Sequence, residues 1–464
     1  MGFSYFICGV LILVAALVVY FLCKQWKLAV IGAAVLVAVT VVAGIVTKRE
    51  AIDNAITFHQ YLNGWERIAT KTVVQCTRDG SCSNTYDCDP YTVEVPSTSC
   101  DSKGKCTTTY HTETRYHSCP YSDEEDYYSI TTSFGNTNIE GSRFPKDAHR
   151  HGWRGPIPEW LIAEVGTGAP VFWEQAAARI SSGHPGPVST RVVYANYVLA
   201  SDQSILHQYS NSIEGYKHRG MLPVLNSSIE DYYHAKKVYF VGVPTNCYND
   251  WQTRMQYMDA ALGTERQGDA HLVIVNANMV TDADDYTYSL KAFWLDPKVF
   301  HENALSKNSV VIVVGTTDGR TVAWSRAFTG MPTGNENLVV ALSQMRNLPL
   351  LPEKIIGNTY STIDNGVVKS YHTDGAIESA MWNPSYGFHR TSMSGKHGQT
   401  GYQYLLSDVA VDSGAKCGFV LLIGVLCAVF IGIAFGLRAS AREEERYNRY
   451  NNNNRYYHTK PRFR

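Results

Sequence analysis

FICGVLILVAALVVYFL fills residues 6–22, LAVIGAAVLVAVTVVAGIVT residues 28–47 and CGFVLLIGVLCAVFIGIAFGL residues 417–437, and none of the three carries a charged side chain. At 1.5 Å per helical residue, each run is about long enough to cross a hydrocarbon core of roughly 30 Å. The reading is an α+β membrane protein with two N-terminal transmembrane helices, one C-terminal transmembrane helix and a large ectodomain. The first run has a second reading, a signal peptide, but it lacks a basic leading region and a small-residue cleavage site before Lys24.

Positive charge gives the orientation. Lys24 and Lys27 lie in the short link between the first two runs, and Arg438, Arg442, Arg446, Arg449, Arg455, Lys460, Arg462 and Arg464 follow the third. Cytoplasmic loops retain Lys and Arg, so the link and the tail are expected in the cytoplasm and the N-terminus outside. The 369 residues from Lys48 to Lys416 then form a periplasmic or extracellular ectodomain. Lys48 and Arg49 argue weakly the other way. This ectodomain holds 31 basic and 39 acidic residues, a balance that disfavours nucleic acid as a partner. Its size exceeds that of a usual single core, so subdomains are expected.

The cysteines support an oxidising compartment. Cys76, Cys82, Cys88, Cys100, Cys106 and Cys119 fall within 44 residues with no C-x2-C knuckle, which favours a disulfide framework over a zinc site. Cys76-TRDGS-Cys82 and Cys100-DSKGK-Cys106 share the pattern C-x3-G-x-C. A hairpin loop with glycine in its left-handed position would set each pair across two strands. The expected bonds are Cys76–Cys82 and Cys100–Cys106, leaving Cys88–Cys119. Cys247 remains as an unpaired thiol, expected to be buried. Cys8, Cys23, Cys417 and Cys427 read as packing residues of the apolar helices, with lipidation the other reading.

Along the chain, residues 1–47 form the two leading spans. Residues 48–71 space Ile52, Ala55, Phe58, Leu62, Trp65 and Ile68 at three- and four-residue intervals, which predicts an amphipathic juxtamembrane helix. Residues 72–143 read as a cystine-rich β subdomain. Residues 144–225 are irregular and mixed, with a helix over Pro170–Ile180 and a strand over Thr190–Val198. Residues 226–350 alternate strands and helices. Ser227–Glu230 has capping-box form, Val238–Val243 a strand and Asp250 a helix start. Leu272–Asn276 is a strand, Thr281–Leu305 a helix broken at Pro297, and Ser309–Gly315 a strand turned by Asp318-Gly319 into Thr321–Trp324. A helix over Asn335–Leu348 closes this α/β sandwich with a mixed sheet. Residues 351–416 read as a β-rich return segment, 417–437 as the third span and 438–464 as a basic, disordered cytoplasmic tail.

The order Trp251–Asp269, Ala270–Met279, Thr281–Leu290, Val310–Val314 and the Asp318–Arg320 hairpin resembles the TPM domain family of small membrane-tethered α/β domains. That resemblance covers about a quarter of the chain and implies a divalent metal and weak phosphatase chemistry. The cystine segment, with Cys88-Asp-Pro-Tyr and Cys119-Pro-Tyr, resembles uncharacterised membrane proteins of large bacteriophages.

Candidate chemistry centres on Asp282, Asp284, Asp285 and Asp318, which fall at the carboxyl ends of the predicted strands, where open α/β sheets place ligands. Clustered carboxylates suit Ca²⁺ or Mg²⁺. The competing reading is that the first three satisfy helix N-terminal N–H groups. Asp147, His149 and His151 form D-x-H-x-H, either a half-built zinc site or a solvated loop. No G-x-S-x-G elbow, Walker loop or H-E-x-x-H occurs. The function expected first is a non-enzymatic, membrane-anchored envelope protein whose ectodomain binds a partner or assembles at the cell surface or periplasm, a homo-oligomer being one form such assembly could take. The alternative is a divalent-metal-dependent, phosphatase-like hydrolase on the TPM-like domain. A transporter ranks third, because spans without internal charge give no substrate path. The partners expected are the lipid bilayer and an unidentified protein.

Overall fold

In the computed structural model the first apolar run lies in helix α1, Gly2–Cys23, and the second in helix α2, Trp26–Ile56, with Lys24 at φ 57° turning the chain between them. The third lies in the C-terminal helix Ser413–His458. All three are long and apolar enough to cross a membrane. The structure describes residues 2–100, 106–138, 144–145, 159, 169–201, 212–225, 235–331, 333–393, 401–409 and 411–458, the side chains of residues 100, 136–138, 144–145 and 451–458 excepted.

The chain divides into two units. The first joins residues 1–57, 195–204 and 393–464. Its core is the seam of the three apolar helices, where Cys8, Ile12, Ala15, Leu36, Phe419, Ile423 and Cys427 are buried together. Gly32 admits the Phe430 ring so closely that a Cβ there would lie 2.1 Å from it. The outward positions, among them Leu13, Val35, Leu421 and Val425, stay exposed and apolar. Residues 195–201 join this unit through Asn196, whose N–H donates to the Ile56 carbonyl at 2.8 Å and whose Oδ1 caps the turn Tyr197–Ala200. The tail is not disordered over its first part. Its helix runs unbroken from the span to His458, because Ala439, Ala441 and the Arg/Glu run are good helix formers continuing a helix already nucleated.

The second unit, residues 58–194 and 205–392, holds four sheets among its described residues. The juxtamembrane helix expected to Lys71 ends at Ile56, and Thr57–Gln75 is instead strand β1. Phe58, Gln60 and Leu62 alternate inward with period two, and a bulge between Glu66 and Ile68 shifts the phase, so that a strand reads like a helical stripe. Strands β2 (Thr85–Cys100) and β3 (Cys106–Pro120) pair with each other. Strands β4 (Glu124–Thr132), β5 (Gly135–Asn138), β6 (Phe144–Pro145) and β7 (Pro187–Ala195) join β1 in the order β5-β4-β1-β7, with β6 on β4. Helix α3, Val171–Ser181, packs Ala176 against Tyr128, Ile130 and Val188.

The α/β part has a mixed sheet of order β11-β10-β9-β8, made of β8 (Val238–Val241), β9 (Asp269–Asn276), β10 (Ser309–Thr316) and β11 (Trp324–Thr329). The first three are parallel and β11 is antiparallel. Strand β11 thus starts where the sequence reading ended it, and Thr321 makes only an isolated bridge to Pro349. Trp251, Met255, Met258 and Leu262 of helix α4 (Tyr248–Arg266) pack with Leu272, Ile274, Val310, Ile312 and Val314. On the opposite face, Trp294 of helix α5 (Ala283–Trp294) meets Tyr239 and His271. Helix α6 is Glu336–Leu342, shorter than expected. The described residues of 351–416 are not β-rich. Among them are one hairpin, β12 (Tyr360–Asp364) and β13 (Val367–Tyr371), turned by Asn365-Gly366 with both φ positive, and helix α7, Ala376–Met381.

Candidate functional site

Asp282, Asp284 and Asp285 meet at the start of α5, and each has work there. Asp282 Oδ1 accepts the N–H groups of Asp284 at 2.8 Å and Asp285 at 3.3 Å, the geometry of an N-cap. Asp284 takes the Arg326 guanidinium with both oxygens, at 2.5 and 3.2 Å, and this hydrogen-bonded cation holds its carboxyl below the usual range. Asp285 faces Tyr216, whose phenol is pushed up by burial and then by that carboxylate. Asp318 closes the β10–β11 turn by accepting from the Arg320 N–H at 2.8 Å and the Thr321 N–H at 2.9 Å, which lowers it to about 2. Among the described residues, the sets of three potential metal ligands within 4.8 Å are Cys76, Cys82 and Glu125, and Cys88, Asp89 and Cys119. The cysteines of both sets are disulfide-bonded, so neither offers thiolates, and Asp282, Asp284, Asp285 and Asp318 are not brought together in such a set. Asp147, His149, His151 and the 227–230 capping box lie outside the described residues.

Cys76 bonds Cys82 and Cys88 bonds Cys119, with Cα atoms 5.4 and 5.8 Å apart. Cys106 is also disulfide-bonded, and the ladder sets Cys100 opposite it, although the Cys100 side chain lies outside the described residues. The route to the first bond differs from the hairpin expected. Cys76 and Cys82 flank a loop joining strands that do not pair, and its left-handed residue is Asp79 at φ 57°, not Gly80. Asp79 can adopt that conformation because its carboxylate is held by His117 Nδ1 at 2.6 Å and the Ser118 N–H at 2.8 Å. Buried Glu125 fixes the other end, accepting from the N–H groups of Ser83 and Asn84, each at 2.8 Å. Cys247 is exposed, not buried.

From Tyr91↔Arg115 to Cys100↔Cys106 the β2–β3 ladder runs for ten rungs, and every described residue along it is exposed or half-exposed. At about 3.3 Å per residue that is a ribbon of roughly 30 Å. Neither strand pairs with a third among the described residues.

A second cluster lies inside the α/β part, and the sequence reading did not find it. Lys237, just before β8, is 1 % exposed, and its ammonium donates to Asp269 Oδ1 and to the Tyr61 carbonyl at 2.9 Å. Asp259 Oδ2, on α4, stands 3.4 Å from the same nitrogen. Asp269 Oδ2 faces His271 Nε2 at 3.1 Å and accepts from Ser309 Oγ at 3.0 Å. Burial alone would lower Lys237, but Asp269 and Asp259 outweigh it and hold the ammonium above its ordinary value. Burial pushes the Asp259 carboxyl well above its ordinary value, against the pull of Lys237. Burial would also raise Asp269, yet Lys237 and His271 outweigh it and keep this carboxylate ionised. His271 is lowered by burial and is neutral. The one available signal was the alternation of Asp269 and His271 at the start of an otherwise apolar strand.

No protein-family model, curated protein or solved structure matches the chain.

Proposed function

We propose that this protein is a membrane-anchored binding protein and not an enzyme, with the β2–β3 ribbon as the surface that meets a protein partner. The observation that carries this reading is the ten-rung ribbon with both faces open. An isolated two-stranded hairpin is marginally stable in water. Here the Cys88–Cys119 bond at the base and the bond at Cys106 near the tip supply stiffness that packing does not. A stiff ribbon loses little freedom on binding. Tyr91, Tyr110 and Tyr116 stand exposed along it, and tyrosine is enriched in protein interfaces. The strand edges suit addition of a strand from the partner, which a second copy of the chain could provide.

Three apolar helices support insertion in the bilayer. The disulfides favour the periplasmic or extracellular side for the ribbon, and the arginines after the third span favour the cytoplasm for the tail. The helix–strand order from α4 to β11 supports a likeness to TPM domains in architecture. With Asp284 paired to Arg326, nothing favours their metal chemistry here.

A photo-crosslinking amino acid at Tyr110 in native membranes tests the proposal. The expected result is one specific protein adduct, lost when Cys88→Ser and Cys119→Ser release the ribbon. Illumination that leaves only the unmodified chain would overturn the reading.

A further inference from the structure

The buried cluster around Lys237 has the parts of a reaction centre whose substrate is the chain itself. We propose that Lys237 and Asp269 join spontaneously, Lys237 Nζ condensing with the Asp269 carboxyl to form a side-chain amide, with Asp259 as the proton shuttle. This inference does not depend on the ribbon's role in binding.

Three observations carry it. The first is enforced proximity without solvent. Lys237 Nζ rests on Asp269 Oδ1, and Lys237, Asp259 and Asp269 are 1 %, 0 % and 3 % exposed. Both backbones are fixed, because the Leu272 N–H donates to the Lys237 carbonyl at 2.9 Å, the Lys237 N–H to Gln252 Oε1 at 3.0 Å and the Asp269 N–H to the Asn308 carbonyl at 3.1 Å. Groups held in this way react as though at very high concentration.

The second is the pair of donors on Asp269 Oδ2, Ser309 Oγ and the neutral His271 ring at Nε2. Attack on Cγ throws negative charge onto that oxygen, and fixed donors in a dry site stabilise such charge. The third is Asp259 Oδ2, a fully buried carboxyl oxygen 3.4 Å from the amine that makes no hydrogen bond. At that distance it is placed to exchange a proton with the attacking nitrogen and to accept from the N–H of the amide product.

The chemistry balances without an oxidant or reductant. An ammonium proton first passes from Lys237 to Asp269 Oδ1, leaving an amine beside a carboxylic acid. The nitrogen lone pair forms a bond to Asp269 Cγ while Oδ2 takes the charge opposite Ser309 and His271. Asp259 then accepts a proton from the nitrogen and returns its own to Oδ1. The Cγ–Oδ1 bond breaks, one water leaves, and Oδ2 becomes the amide carbonyl oxygen. A cavity of about 30 Å³ lined by Gln60, Lys237, Asp269, His271 and Ser306 adjoins the site, enough for a single water.

The test uses the full chain in detergent micelles, reduced, digested and analysed by tandem mass spectrometry. The expected product is a branched peptide linking residues 237 and 269, lighter by one water than its two arms together. Asp259→Asn should give the two linear peptides instead. A wild-type digest that yields only linear peptides containing Lys237 and Asp269 overturns the proposal, and this result does not depend on any variant folding. A branched peptide formed in full yield by a folded Asp259→Asn chain would overturn the role given to Asp259.

Discussion

Arg179 holds Glu66 with two hydrogen bonds, Nε to Oε2 at 3.1 Å and Nη2 to Oε1 at 2.7 Å, across 113 positions of sequence. The Glu66 side chain has no exposed surface, and its Oε2 also takes the Gly186 N–H at 2.7 Å. One carboxylate therefore ties β1 to α3 and to the approach of β7. Removing the guanidinium leaves a buried charge with a single donor. Arg179→Met should cost about 3 kcal/mol, measured by chemical unfolding. A loss below about 1 kcal/mol would rank the pair with weak surface bridges.

His372 sits between Glu265 at 3.6 Å and Glu378 at 3.5 Å. Burial alone would lower the imidazole, but the two carboxylates outweigh it and raise it to about 9 from an ordinary 6.5. Because the folded value is the higher one, the stabilisation is complete below pH 6.5 and is lost as pH rises through about 9. The loss should be on the order of 2 kcal/mol once solvent screening is allowed for. His372→Gln should flatten the thermal stability profile across that window. An unchanged slope in the variant would assign the pH dependence to other groups.

Asp282 acts as a helix cap, so Asp282→Ala should lower stability by about 1 kcal/mol. The size of that loss should be the same with millimolar Ca²⁺ as with a chelator. Calcium-dependent stabilisation of the wild type, abolished in Asp284→Ala, would instead restore the metal reading of this end of the sheet.

Among the described residues the free cysteines are Cys8, Cys23, Cys247, Cys417 and Cys427, and Cys247 is the one outside the membrane-type helices. A membrane-impermeant maleimide applied to cells whose outer envelope has been opened and whose plasma membrane is intact should label the chain, and Cys247→Ser should remove most of the signal. Labelling that appears only after lysis would reverse the proposed orientation.

The apolar helices were fully legible because their signal is continuous and needs no partner to interpret it. The α/β part was legible where strands are uniformly apolar, as at Ser309–Thr316. Residues 57–68 misled because Phe58, Leu62 and Trp65 satisfy a helical stripe as well as a bulged strand. The Cys76–Cys82 pairing was read correctly from spacing, but its geometry depended on Asp79, His117 and Ser118, which no local pattern connects. The Lys237 cluster was hidden for the same reason. Its members come from the approach to one strand, a helix and two further strands, and only the parallel register of β8, β9 and β10 brings them together.

The first unit is assembled from residues 1–57, 195–204 and 393–464, and this has a consequence for biosynthesis. Its bundle lacks its last wall until the C-terminal helix has been translated. At 5–20 residues per second, the ribosome needs roughly 20–70 s to travel from the end of α2 to Ser413. During that interval the two leading helices wait with their Cys8 and Leu36 faces open, while the intervening unit has time to fold and oxidise. A stall late in translation would therefore leave a folded second unit joined to an unfinished three-helix bundle.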